Sequence, residues 1–264
     1  MIRRMFRNYC LDIGYFVKAS SSKGEVEQFV RSLRPYQTGH DLIRLGTHSD
    51  GGYLVPDDLI GIDGLFSPGV NDNSDFEYQV ADQLDIPCYM VDYSVDGPAR
   101  QHKRFYFDKK FLGSMDRDIY WSLDSWVSRY AQNCNNLLLQ IDIEGAEFET
   151  IIASSRETLS KFRIIVAEIH GIDSIFNRYG LKLFQMCFEK LLQDFHVVHL
   201  HPNNCEGEVT KWGMKIPRVM EMTFIRKDRV SDLVPAKLFP HPLDCHCVPE
   251  NDFIELDQCW YGAN

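Results

Sequence analysis

Residues 136–150, NLLLQIDIEGAEFET, decide how this chain of 264 residues is read. Leu137, Leu138 and Leu139, then Gln140 and Ile141, form a run apolar on both faces, the pattern of a central strand in a parallel sheet. The run breaks into acid and glycine at Asp142, Glu144, Gly145 and Glu147. Open α/β sheets bind ligands beyond the carboxyl ends of their strands, so carboxylates arriving there point to a site. Gly145 permits a tight turn, and residues 146–152 read as the start of a helix. Acids in a first helical turn also complement the positive end of the helix dipole. Three acids within six residues, directly after an apolar strand, favour a site over that simpler account.

The same pattern extends in both directions. Residues 65–71 (LFSPGVN) form a short strand ending in a glycine turn, and residues 75–84 follow with Phe76, Val80 and Leu84 at helical spacing. Strand, glycine turn and helix open a Rossmann-like nucleotide site, with Ser67, Gly69 and Asn71 nearest the ligand. Only one glycine is present and Asn71-Asp72-Asn73 fill the loop, which counts against a pyrophosphate ligand. Residues 86–92 (IPCYMVD) form a second strand, ending in an acid about twenty residues on, where ribose hydroxyls are commonly held. Asp92 also suits the start of a turn ahead of Ser94 and Gly97. Residues 104–107 make a third strand, and residues 122–130 a helix with Leu123, Trp126 and Val127 on one face. Downstream, residues 164–167 form a buried strand that ends in Glu168-Ile169-His170. Glu168 and His170 share a face if the strand continues. An amphipathic helix over 183–192, a strand over 195–200 leading into His201, and a strand over 220–226 complete seven strands.

QIDIEGAEFE resembles the strand-four signature of the FkbM-type S-adenosylmethionine-dependent methyltransferases, roughly (K)-I-D-I-E-G-A-E, with seven adjacent positions in agreement. Arg44-Leu45-Gly46 followed by Asp50-Gly51-Gly52-Tyr53 matches a second phrase of that family, and the resemblance spans about Arg44 to Arg226. It implies a class I methyltransferase fold: a seven-stranded, doubly wound, Rossmann-like α/β sheet with the last strand antiparallel. It also implies S-adenosyl-L-methionine as cofactor and O-methylation of a sugar, glycan or glycolipid, with the Gly52-Tyr53 loop folded over the cofactor pocket. The cofactor set is then Gly52, Tyr53, Ser67, Gly69, Asn71, Asp92 and Asp142. A plain hairpin explains the Asp50–Tyr53 turn equally well.

Composition limits the alternatives. A net charge of −10 and a pI near 5.3 leave no broad cationic face for nucleic acid. Eight scattered cysteines without a CxxC pair, and no leader-like segment, lead us to expect reduced thiols in the cytoplasm, peripheral at a membrane if the first segment binds one. That segment, residues 2–17, places Ile2, Phe6, Tyr9, Ile13 and Phe16 at helical spacing beside Arg3, Arg4 and Arg7. It suits a membrane surface, a homodimer partner or the body of the same chain. We expect a helical appendage over 1–40, a methyltransferase domain over 41–227 and an irregular tail packed on it over 228–264. His241, Cys245, His246, Cys247 and Cys259 crowd the tail without the spacing of a zinc module, so idle thiols are expected.

A sugar hydroxyl is a poor nucleophile and needs a base or a metal. Asp142, Glu144, His170 and His201 are the expected catalytic groups, with His170 or His201 as base. Asp142, Glu168 and His170 are the expected ligands for Mg²⁺ or Mn²⁺. A nicotinamide-dependent oxidoreductase and a silent Rossmann-like binding module remain alternatives on the same pattern.

Overall fold

In this computed structural model, which describes residues 2–15, 17 and 19–262, helix α1 (Ile2–Asp12) buries Cys10 but leaves Met5, Phe6, Tyr9 and Leu11 exposed. The helix ends before the expected residue 17. Phe16, assigned to its apolar stripe, lies outside the described residues, as do the side chains of Ile2 and Arg3. Helix α2 (Lys23–Ser32) opens on a capping box. The Ser22 hydroxyl accepts from the Glu25 amide, and the Glu25 carboxylate accepts from the Ser22 amide at 2.8 Å. Val26, Phe29, Val30 and the capping Leu33 are buried, and Phe29 stands edge-on to Phe184 and Phe188. The expected appendage is therefore divided: α1 lies outside the core, whereas the apolar stripe of α2 is part of it.

The strands β1 (Tyr36–Gln37), β2 (Leu42–Gly46) and β3 (Gly52–Pro56) precede the sheet, with β2 and β3 forming an antiparallel hairpin over the Asp50-Gly51 turn. Then come β4 (Gly64–Pro68), α3 (Asp75–Leu84), β5 (Cys88–Val91) and β6 (Phe105–Asp108), followed by a short parallel pair, β7 (Phe111–Gly113) and β8 (Tyr120–Ser122). Helix α4 (Leu123–Ala131) leads into β9 (Leu137–Ile141), α5 (Glu147–Ala153), α6 (Arg156–Ser160) and β10 (Phe162–Ile169). Helix α7 (Arg178–Asp194) and the long strands β11 (Phe195–Lys211) and β12 (Met214–Arg226) complete the domain. In the tail, β13 (Val234–Pro235) pairs with β1.

Seven strands, those the sequence predicts, form one sheet in the order β11-β12-β10-β9-β4-β5-β6. All pairings are parallel except those of β12, which is antiparallel to both β10 and β11. A last strand inserted antiparallel beside an otherwise parallel set is the class I Rossmann-like methyltransferase topology. One boundary differs: the strand expected over 195–200 continues to Lys211, through Pro202. As the edge strand, β11 can carry a proline without breaking a ladder on its open side.

Side-chain alternation assigns the two faces. Leu137, Leu139, Ile141, Ile165 and Ala167 enter one core with Trp126, Phe184 and Phe188, covered by α2, α4, α5 and α7. Leu138, Ile164 and Val166 enter the other with Tyr53, Phe76 and Val80, covered by α3 and the hairpin. Each Leu or Ile so buried contributes about 1.5–3 kcal/mol relative to exposure. By the same alternation Gln140, Glu168 and Glu221 face the hairpin side, where the Thr223 hydroxyl donates to the Leu54 carbonyl at 2.6 Å. The tail inserts a fully buried Trp260, whose indole N–H donates to the Lys215 carbonyl at 3.3 Å. Among the described residues no helix is long and apolar enough to cross a membrane.

Candidate functional site

Two strand ends meet at the centre of the sheet. After β4 the chain turns at Gly69 with φ +83°, where an added Cβ would lie 1.6 Å from the Asp142 carbonyl oxygen. Only glycine allows the loop to pass so close to the end of β9. After β9 the chain turns through Glu144 (φ 54°) and Gly145 (φ 97°) into α5. Glu147, in the first turn of α5 and fully buried, reaches back to accept the Ile143 and Gly145 amides at 3.0 and 3.1 Å. The acid that the helix dipole would explain is thus the clasp of the turn itself.

His170, just beyond β10, stands among four carboxylates. Its Nδ1 is 3.3 Å from Glu147, and its Nε2 is 3.5 Å from Glu144, 3.7 Å from Glu168 and 4.0 Å from Asp142. Burial opposes a charge on the ring, but Glu147, then Asp142 and Glu144, outweigh it and raise His170 to about 9. Burial raises Asp142 to about 7, helped by Glu144 and Glu147 and opposed by His170. Burial, with Asp142 and Glu221 adding to it, raises Glu168 to about 10. The surrounding carboxylates thus favour the charged imidazolium at His170, whereas the sequence leads one to expect a base there. Asp142 is the carboxyl of the cluster raised closest to neutral pH.

Two adjoining cavities share Gly69, Asn71, Asp142 and Glu144 as a common wall. The first, about 360 Å³, has Val91, Phe111, Leu112 and Ile143 as its apolar lining, with Asp92 and Ser94 at one side. Asp92 makes the turn contacts that one reading of the sequence expects. It faces this cavity, and it accepts the Asn71 amide at 2.9 Å and the Ser94 amide at 2.8 Å. The second cavity, about 320 Å³, is polar, with Asp50, Tyr53, Glu168, His170 and Asn203 in its lining. Glu144 is 83 % exposed and forms its rim.

Of the other expected site residues, Ser67, Gly52 and His201 line neither cavity, and Tyr53 lines the polar one. Ser67 is buried beneath the cavities with its hydroxyl 2.5 Å from Glu77 and 2.6 Å from the Gln140 side-chain oxygen. Burial pushes the Glu77 carboxyl upward, and the bond from Ser67 opposes this. The Gln140 amide donates in turn to the Tyr53 hydroxyl at 3.3 Å, which makes Ser67 and Tyr53 parts of a buried chain. Gly52 is a hairpin glycine, where a Cβ would lie 2.0 Å from the Thr47 carbonyl; Asp50, Gly51 and Tyr53 of that hairpin line the polar cavity. His201 does not join the site. Because β11 continues past it, it sits mid-strand under the tail, with Nε2 2.8 Å from the Cys245 carbonyl. Sequence reasoning gave no role to Glu147 or to Asn203, which donates to Glu168 at 3.1 Å. The acid at the third position after Glu144 was the available signal for Glu147. Asn203 had none, because the strand carrying it was cut short.

Residues 122–197 match the family described as Methyltransferase FkbM domain. No curated protein matches the chain in sequence. Among solved structures, the chain is similar to a Methanococcus jannaschii fibrillarin pre-rRNA processing protein at 11 % identity and TM-score 0.37, over 64 % of this chain and 68 % of that one. It is also similar to the plantazolicin methyltransferase BpumL in complex with SAH (9 % identity, TM-score 0.32, 62 % and 75 % covered) and to the mitomycin 7-O-methyltransferase MmcR (10 %, 0.32, 64 % and 50 %). Overlaps this loose carry no weight for substrate, and the fold rests on the strand order and on the antiparallel β12. Residues 122–197 match the methyltransferase FkbM domain, and the strand order is the class I fold of S-adenosylmethionine-dependent methyltransferases.

Proposed function

We propose that this protein transfers a methyl group from S-adenosylmethionine to a hydroxyl of a sugar or glycan, across the wall its two cavities share. The observation that carries the proposal is the pairing of an apolar cavity beside Asp92 with a polar one beside His170, joined at Asp142 and Glu144. The cofactor supplies a sulfonium methyl already activated for displacement. Val91, Leu112 and Ile143 suit the faces of an adenine, and Asp92, with three of roughly four lone-pair sites already used, keeps capacity for one ribose hydroxyl. In the polar cavity Glu144, Asn203 and Asp50 offer the acceptors and donors that a polyol needs. Asp142, raised to about 7, takes the hydroxyl proton while the His170 imidazolium steadies the charge that develops. The family resemblance and the polarity of this cavity support that substrate class.

A divalent cation is the rival neutraliser of the same cluster. Asp142, Glu147 and His170 each present a ligand atom within 4.8 Å of the others, and buried atoms of all three lack a hydrogen-bond partner among the described residues. Glu147 thus replaces Glu168 in the expected ligand set. The ion would act as a Lewis acid on the acceptor oxygen, and it would compete with the His170 proton for one place. Calorimetry with S-adenosylhomocysteine and with NADH, then labelled-methyl transfer to a panel of glycosides with and without EDTA, tests both readings. Binding of NADH alone, or labelling of none of the glycosides, would end the proposal. Full activity in EDTA would assign the chemistry to Asp142 without a metal.

A further inference from the structure

Three buried metal-ligating side chains lie outside the site just described, on three separate segments. His201 on β11 and Glu221 on β12 are cross-strand partners, and Cys247 comes from the tail that lies over them. One ligand atom from each lies within 4.8 Å of the other two, and the Cys247 thiol is 3.0 Å from Glu221 Oε1. Tetrahedral zinc with bonds of about 2.0–2.3 Å sets its ligand atoms roughly 3.3–3.8 Å apart, so small shifts of these groups would enclose an ion.

The histidine gives an independent sign. His201 is 2 % exposed, and its Nε2 lies 2.8 Å from the Cys245 carbonyl, which can only accept. That bond takes the Nε2 proton, so in the neutral ring the lone pair lies on Nδ1; Asp244 and Glu221 favour the charged ring, whose Nδ1 proton a metal ion would have to displace. Metal-ligating histidines are oriented in the same way, through a backbone carbonyl on the far nitrogen. Nδ1 has no hydrogen-bond partner among the described residues. Asp244 approaches it only to 3.6 Å, and its carboxylate is committed to His199 at 2.8 Å and to the His241 amide at 2.7 Å.

We propose that His201, Glu221 and Cys247 bind a zinc ion that clasps the C-terminal tail to the edge of the sheet. Sulfur, imidazole and one carboxylate are a zinc donor set, and three protein ligands leave a fourth position for water. As the sulfur–metal bond forms, the Cys247 proton passes to solvent. Glu221 is also the cross-strand neighbour of Glu168, so the clasp holds the tail next to the polar cavity. Tail sequence alone does not show the set, because two of the three ligands come from the sheet.

Cobalt titration of the full chain after chelation tests this. One equivalent of Co²⁺ should produce a near-ultraviolet thiolate–cobalt band that Zn²⁺ abolishes. Cys247→Ser should remove the band, and Glu221→Gln should weaken Co²⁺ binding at least about tenfold. Cys245→Ser, Cys205→Ser and Asp142→Asn should leave it intact. A folded wild-type protein without the band overturns the proposal, whether or not the Cys247 variant folds. A band that survives Cys247→Ser, or is lost with Asp142→Asn, overturns it equally.

Discussion

His170 and His201 are both histidines near the end of the sheet with carboxylates around them, yet they occupy opposite kinds of surroundings. His170 opens onto a cavity, and none of its four carboxylates is bound to it by more than a loose contact. His201 is sealed under the tail with one ring nitrogen fixed by a backbone carbonyl. The difference lies in chain continuation. At His170 the strand stops and Gly171 (φ 65°) turns the chain away, leaving space; at His201 the strand continues and the tail returns to cover it. Identical chemistry can therefore be a place for reaction or a place for fastening, according to what the backbone does next.

The largest effect that would break this comparison is on turnover. Asp142→Asn should lower kcat about 100- to 10,000-fold while leaving S-adenosylhomocysteine affinity and the melting curve close to wild type. A variant that keeps its turnover would show that the open region is not the reacting one. On the sealed side, Trp260→Ala should cost about 3–5 kcal/mol of stability in urea titration, with kcat of the folded fraction unchanged. A selective loss of kcat there would merge the two regions. Gly69→Ala places a Cβ against the Asp142 carbonyl at positive φ, and strain and overpacking together should cost about 2–4 kcal/mol.

Asp92→Ala sharpens the cofactor side. It should weaken S-adenosylhomocysteine by about 1.5–3 kcal/mol in calorimetry, and unchanged affinity in a folded variant would remove the ribose assignment. The smallest effect concerns pH, measured in chelator. Asp142 and His170 both bind their protons more tightly folded than unfolded. Their contribution to stability is therefore complete below the unfolded values, about 3.9 and 6.5, and is lost as pH rises through about 7 and about 9. Transfer should instead rise through about 7 as Asp142 ionises. Activity and melting temperature should thus move in opposite directions, and a melting temperature that climbs over this range would contradict the assigned cluster.

Much of the architecture was legible in local pattern. The apolar runs at 137–141 and 164–167 each encode their element through short-range physics, and all seven sheet strands could be read from such local patterns. The site was legible where a residue follows directly from a strand end, as Asp142, Asp92 and His170 do. It was not legible where position depends on long-range closure. Glu147 belongs to the three acids that point to a site, but nothing local shows that its carboxylate holds two turn amides. His201 and Asn203 depended on β11 passing through Pro202, which reads as a stop in sequence and is tolerated only because that strand is an edge. The burial of α2 depended on Phe184 and Phe188, about 150 residues away in sequence, and periodicity alone cannot show which surface a helix meets.

The wall shared by the two cavities also bears on inhibition. Ligands that fill each cavity separately would end on either side of the same four residues, Gly69, Asn71, Asp142 and Glu144. A single molecule with an adenosine-like half and a polyol-like half, joined by a short cationic link passing Asp142, would turn the second contact into an intramolecular one. Such tethering supplies an effective concentration in the millimolar range for short flexible links, without any new contact to the protein. A compound of that design would gain over its separate halves only if both cavities open onto the same passage at Asp142.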